Sequence, residues 1–365
     1  MKQKLANRLG WNTNRKIVII ESDDWGSFRF KNKNYRDKFL NAEQKHKCWM
    51  SYYDTFESAS DLQNLFEVLE SVKDKTNHSA KFTFLMNPSN PDFKKIKEVN
   101  FQKFHSETFL ETLKQRKDGD EIYTLYQKAL KKNILEVGFH GREHLNVNQW
   151  MKDLQNKDKT AHLGFENKTW GFSKAYVPDY KKSYRSTYNI QSYEEFDSLK
   201  VNVKEGVSLI NKIFNQNTTY FLPPDGPYHL ALNQTLADNG LKYIGLAKLH
   251  NNPLEQKWYQ KKLFWLGKQT KEGLTVITRN VMFEPGSPRQ TDWVASALQQ
   301  MQKAFKYNKP AVISSHRANY VSGLDVSFRD QNLKLLNDLI CKIIKTWPEV
   351  EFMTSSELGV LLRNS

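Results

Sequence analysis

Lys16-Ile-Val-Ile-Ile-Glu-Ser-Asp-Asp-Trp25 is the run from which the rest of the chain is read. Four consecutive β-branched residues, Ile17 to Ile20, favour a buried strand. The strand ends in adjacent carboxylates, Asp23 and Asp24. A second apolar run, Ile134-Leu-Glu-Val-Gly-Phe139, ends in His140-Gly-Arg-Glu-His144. Carboxylate oxygen and imidazole nitrogen are ligands of zinc and its first-row neighbours. One acid can bind the metal while the other moves protons. If these strand ends meet, the chain reads as a metal-dependent hydrolase.

Outward from these runs, β-branched segments alternate with amphipathic ones. Strands are expected at Lys16–Glu21, Lys81–Met86, Ile134–Phe139, Thr218–Leu222, Leu241–Leu246, Leu274–Thr278, Ala311–Ser315 and Val350–Met353. The 3.6-residue period predicts helices from Asp61, over Glu194–Phe214, Leu230–Asn239, Asp292–Phe305 and Asn332–Trp347. Gly240 is a C-cap candidate and Pro348 a stop. Alternating βα units imply an α/β fold with a mostly parallel sheet, closed or nearly closed into a barrel. Functional groups then belong at the C-terminal strand ends. Asp23, Asp24, His140, Pro223, Arg279 and His316 each follow a strand. One domain over 1–365 is expected, with insertions at about 28–60 and 145–193. These hold Trp49, Tyr52 and Tyr53, then Trp150, Trp170, Tyr176, Tyr180, Tyr184 and Tyr188. They read either as a wall on which sugar rings stack or as an accessory core.

The 365 residues carry 55 Lys+Arg against 40 Asp+Glu, a net charge of +15. That favours anionic partners, yet the basic residues are interspersed with acids. No zinc-finger, RNA-recognition or helix-turn-helix signature occurs, so nucleic acid is not an expected partner. A phosphate-bearing sugar is the sharper alternative to a merely solvated basic surface. Cys48 and Cys341 lie far apart in no metal-like spacing, as in a reducing compartment. The N-terminus lacks the apolar core of a signal peptide, and no run approaches the roughly 20 apolar residues of a membrane span. A cytoplasmic protein without a membrane span is the expectation.

Alternate strand residues face opposite sides, so Asp23 and Asp24 need a turn at Trp25-Gly26 to enter one site. Asp24 is then the ligand candidate and Asp23 the general base, because metal-bound water needs only a nearby carboxylate to lose its proton. The same pair would also serve as a cap. His140 and His144 converge either on a helix face or in a tight turn. His140-Gly-Arg-Glu-His144 also spells the inverted zinc-protease motif, but Gly141 and the preceding strand disfavour the helix that motif needs. His316, closing Ala311-Val-Ile-Ser-Ser, is a general-acid candidate. Leu222-Pro223-Pro224-Asp225-Gly226 is a rigid turn able to offer an N–H to an oxyanion. Trp25, Pro223, Pro224 and Asp225 are accordingly candidates for lining the substrate site.

In order and approximate spacing, Asp23-Asp24, His140-x-x-x-His144, Leu222-Pro-Pro-Asp-Gly226 and Ile313-x-x-His316 resemble the motifs of NodB-type polysaccharide deacetylases. The resemblance runs roughly from Lys16 to Leu361. It implies a distorted (β/α) barrel of about seven strands and a divalent metal, zinc first with cobalt or nickel as alternatives. Asp24, His140 and His144 would hold that metal. Asp23 would be the base, His316 the acid, and an acetylated sugar or polysaccharide precursor the substrate. Two positions depart from the pattern. Gly141 stands where the family has Ser or Thr, and Leu222 where it has the arginine that orients the base. Arg142, Arg279 and Arg317 are candidates for the missing guanidinium. Arg279 is preferred because it follows a strand, which leaves Arg142 and Arg317 as substrate-binding candidates. Asp292-Trp293 carries the letters of a further family motif but opens a helix. Two other readings stay open: a glycan-binding barrel without turnover, and a metal-free hydrolase of a non-sugar C–N bond.

Overall fold

The computed structural model describes residues 9–40, 48–171, 183–255 and 258–364. Thirteen strands occur among them: β1 Ile17–Trp25, β2 Phe82–Met86, β3 Ser89–Pro91, β4 Ser106–Thr108, β5 Leu135–Phe139, β6 Tyr220–Phe221, β7 Tyr243–Gly245, β8 Leu249–Pro253, β9 Tyr259–Leu263, β10 Thr275–Ile277, β11 Val281–Met282, β12 Ala311–His316 and β13 Glu351–Phe352. Nine of them form one parallel sheet in the order β10-β7-β6-β5-β2-β1-β12-β11, with β13 beside the start of β1. All eight expected strands lie in this sheet. The two-residue β11 is too short to leave a sequence pattern. The antiparallel hairpins β3-β4 and β8-β9 also lack one, since β8 reads Leu-His-Asn-Asn-Pro.

The sheet edges, β10 and β11, are consecutive in the chain and joined only by Thr278-Arg279-Asn280. Four Cα steps separate Ile277 from Val281, so the edges lie within about 15 Å of each other. The sheet must therefore curl until it nearly closes. Asn280 ties this link to β12. Its side chain accepts from the Val312 N–H at 2.9 Å and donates to the Pro310 carbonyl at 2.8 Å.

Before the bulge in β1, alternation along the strands of the main sheet sorts the apolar side chains into two cores. Ile17 and Ile19 of β1 pack inside the barrel with Leu85, Tyr220, Tyr243, Ile277 and Val312. Leu358 and Leu362 of the helix Ser355–Arg363 join this cluster from the chain's end. Val18 and Ile20, with Phe82, Phe84, Leu135, Val137, Val276 and Ile313, pack outward in the larger core beneath the helices. Glu21, Asp23, Glu136, His140, Arg279, Ser314 and His316 all fall in the inward register. Each is an even number of residues from an inward neighbour on its own strand or strand extension. The candidate chemistry thus forms the upper layer of the barrel interior.

The helices follow the expected periods. Ala59–Glu70 starts in a capping box of Ser58 and Asp61, Phe196–Phe214 and Trp293–Lys306 lie where predicted, and Val326–Thr346 begins six residues before the expected Asn332. Gly240, at φ +87°, follows the short helix Asn233–Asp238 as its expected stop. Among the described residues the first insertion carries the short helices Lys33–Phe39 and Trp49–Tyr53, and the second Val147–Gln155 and Lys159–Glu166. Tyr53, Trp150, Trp170, Tyr184 and Tyr188 are buried, so these aromatics pack as core and do not line an open sugar wall. Tyr176 and Tyr180 lie outside the described residues. Among the described residues no helix is long and apolar enough to cross a membrane.

Candidate metal and acid–base site

A β-bulge near the end of β1 runs into the expected turn at Trp25-Gly26, which the Ser27 N–H closes by donating to the Asp24 carbonyl at 3.4 Å. The register with β2 shifts between Ser22 and Trp25, and Asp24 itself takes φ +78°. A non-glycine residue in that region is strained. Here the strain brings Asp24, whose strand parity is outward, round to the same mouth as Asp23. Gly26 follows at φ +75°, where a Cβ would come within 2.6 Å of the Asn87 carbonyl oxygen.

His140 leaves the end of β5 and His144 closes the loop behind it. The Asn87 amide donates to the carbonyls of His140 and Gly141, and Gly141 sits at φ +87°. Glu143 is buried and accepts from Ser89 at 2.8 Å, Arg142 at 2.7 Å and Asn202 at 3.1 Å. It therefore braces the loop, which is not helical, and the protease reading falls.

Asp24, His140 and His144 offer ligand atoms that all lie within 4.8 Å of one another. Asp24 Oδ1 is 3.0 Å from His144 Nε2 and 3.6 Å from His140 Nε2. It accepts no hydrogen bond of good geometry. The His140 Nδ1–H donates to the Leu222 carbonyl at 2.7 Å, so Nε2 is the nitrogen turned towards the carboxylate. A carboxylate oxygen and two imidazole nitrogens, buried and converging on one point, are the donor set of a divalent cation. Trp170 stacks on His144 with ring centroids 5.7 Å apart.

Asp24 Oδ2 accepts from Arg29 Nη2 at 3.0 Å. Arg29 approaches Asp54 at 3.5 Å, and Arg317 pairs with both Asp54 and Glu57 at 2.9 Å. Tyr126 donates to Glu57 at 2.7 Å. Burial would raise the Asp24 carboxyl, but the two imidazoles and Arg29 outweigh it and hold the group well below the usual range. For Asp54 burial wins over Arg317 and Arg29, and its pKa is raised.

The acid–base candidates flank this cluster. Strand register sets Asp23 directly opposite His316. Arg279 forks onto Asp23, with Nη1 2.8 Å from Oδ2 and Nη2 on Oδ1. Burial raises Asp23, yet Arg279 outweighs it and the carboxyl lies below its ordinary value. The His316 Nδ1–H donates to Glu284 Oε1 at 2.6 Å, while Nε2 lies 3.8 Å from Asp23. Burial pushes the imidazole down, but the Glu284 carboxylate overrides it and raises the pKa to about 9. Asn319 fixes Glu284 from behind at 2.9 Å.

Several substrate-lining candidates sit elsewhere. Trp25 is fully buried, stacks on Phe84 at 3.6 Å and donates to Ser22; it is core. Arg317 is fully buried between Asp54 and Glu57, so it faces neither Asp23 nor a ligand. Arg142 is engaged by Glu143 and Glu205. Pro223 and Pro224 are buried, whereas Asp225 is exposed and accepts from Ser186 at 2.6 Å. Leu222 contributes its carbonyl, not a guanidinium. Asp292 caps the helix Trp293–Lys306 through the Ala295 N–H at 2.9 Å.

Sequence reasoning missed Glu21, Arg29, Asp54, Glu57 and Glu284. Glu21 interrupts an apolar strand two residues before Asp23, a signal that was present. Glu284 stands two residues after β11, and Arg29 lies in a loop; neither has a local pattern.

No protein-family model matches the sequence, and no curated protein matches it. Solved structures do. The Puue allantoinase is 8% identical at TM-score 0.50, with 97% of this chain and 93% of that one covered. A protein described as a probable polysaccharide deacetylase from Pseudomonas aeruginosa PAO1 is likewise 8% identical at TM-score 0.50, over 96% and 92%. The 4-alpha-glucanotransferase of Thermococcus litoralis is 12% identical at TM-score 0.48, and the chain spans only 40% of its length. The curled parallel sheet with its helices is thus the fold of the NodB-type deacetylases.

Proposed function

We propose that this chain is a metal-dependent hydrolase that removes acetyl groups, N- or O-linked, from a carbohydrate. The observation that carries the reading is the placement of Asp24, His140 and His144 within 4.8 Å, between a carboxylate gripped by Arg279 and an imidazole gripped by Glu284. A divalent cation, zinc by preference for this donor set, lowers the pKa of water and polarises an acyl oxygen when bound. Asp23 takes a proton from the attacking water, whose oxygen bonds to the acyl carbon. His316, protonated at neutral pH, gives its proton to the leaving nitrogen or oxygen as that bond breaks. Acetate and a free amine or hydroxyl result. Arg279 supplies, from the seam of the barrel, the guanidinium that Leu222 cannot. The whole chain acts as one catalytic domain, and the net charge of +15 suits a phosphate-bearing cytoplasmic precursor.

The test is acetate release from acetylated oligosaccharides by zinc-loaded protein, beside Asp23→Asn and a chelated sample. Release lost in both controls supports the reading; release by neither the wild type nor any reconstituted form removes it. The equal likeness to an allantoinase favours one second reading, hydrolysis of a cyclic amide. Turnover of cyclic amides that survives complete chelation would select it.

A further inference from the structure

Arg279 occupies the three-residue link between the two sheet edges, where no ladder of the main sheet fixes its backbone. A long side chain there needs side-chain partners to hold one direction. Its fork meets Asp23, Nη1 also donates to Ser314 at 3.0 Å, and Nε donates to Glu21 Oε2 at 2.6 Å. Glu21 and Asp23 are two apart on β1 and so share the inward face, about 7 Å apart along the strand. One guanidinium spans both, its Nε edge on the first and its terminal fork on the second.

Glu21 is itself anchored. It is fully buried, and its Oε1 accepts from Ser355 Oγ at 2.7 Å. Ser355 opens the last helix, and its N–H donates to Thr83 Oγ1 at 3.0 Å. Both are buried in the barrel interior. A carboxylate with no partner would be costly at that depth, and both its oxygens are engaged.

We propose that Glu21 is a positioning residue: it holds Arg279 by its Nε edge so that the guanidinium fork presents Asp23 to the reaction, with Ser355 and Thr83 as its footing. This rests on the reading of Asp23 as the base. Glu21 is fully buried and its hydrogen bonds go to Arg279 and Ser355, so it acts through Arg279.

The experiment compares Glu21→Gln with the wild type in zinc-loaded protein, with 4-nitrophenyl acetate and an N-acetylglucosamine oligomer as probes. The Arg279 Nε–H signal is followed in 15N-arginine-labelled protein and assigned by its loss in Arg279→Lys. The expected result is a shifted, faster-exchanging Nε–H, unchanged zinc content, and kcat down about 10–100-fold as for other outer partners. KM stays within about twofold, and no further loss follows in an Arg279→Gln background. Ser355→Ala, which keeps the carboxylate but removes its footing, gives the same change in weaker form. An unchanged Arg279 signal, or a loss that is undiminished in the Arg279→Gln background, overturns the proposal. If the wild type turns over neither probe, the deacetylase reading fails, while the Nε–H signal still decides whether Glu21 holds Arg279.

Discussion

The two halves of the site are built differently. On the acid–base side, Asp23 and His316 are each clasped by a partner, Arg279 and Glu284, and each partner is clasped in turn by Glu21 or Asn319. On the side of the ligand cluster, Asp24 Oδ1, which faces both imidazoles, has no hydrogen-bond partner although buried. A buried polar atom without a partner is costly. A side that works with its own protons can be fully satisfied within the chain. A side that needs a cation keeps a carboxylate oxygen in reserve for it.

The largest effect should come from breaking the satisfied side at its centre. Asp23→Asn keeps the size and loses the charge. Its kcat should fall about 10²–10⁴-fold, the usual worth of a general base, with zinc content unchanged by elemental analysis. Loss of zinc as well would merge the two halves into one.

Next is the ladder behind Asp24. Arg317→Met leaves Asp54 and Glu57 buried with one guanidinium fewer, and removal of one partner of a buried ion pair costs about 3–5 kcal/mol. Chemical denaturation should show that loss. A change under 1 kcal/mol would mean that Arg29 and Tyr126 suffice to hold both acids.

Glu284→Gln sharpens the comparison by pH. His316 must be protonated to act as the acid, so activity is present below its pKa and lost as pH rises through about 9. A bound cation opposes this shift, so the wild-type limb lies at or below that value. Without the Glu284 charge the limb moves down towards 6.5, and kcat at pH 8 falls about tenfold. A pH–rate profile whose alkaline limb stays in place would take His316 out of the acid role.

Much of this was legible from the chain. The eight strands showed as β-branched runs. Asp23, Asp24, His140, Arg279 and His316 showed as polar residues at strand ends, and barrel geometry brings such ends together. What failed was direction. Trp25, Arg142 and Arg317 follow strands or flank motifs just as Arg279 does. Only the inward parity of β10 and its extension, and the acidic pair Asp54 and Glu57 that captures Arg317, separate them. Parity is invisible in a strand such as Ile17-Val-Ile-Ile, because both faces are apolar. The bulge at Asp24 had no signal beyond the adjacent acids.

Zinc titration of the metal-free protein, with elemental analysis of the wild type and the His140→Ala, His144→Ala double variant, tests the central claim most directly. The account predicts about one equivalent bound by the wild type and none by the variant. Zinc retained by the variant, or a wild type that binds none, would contradict it.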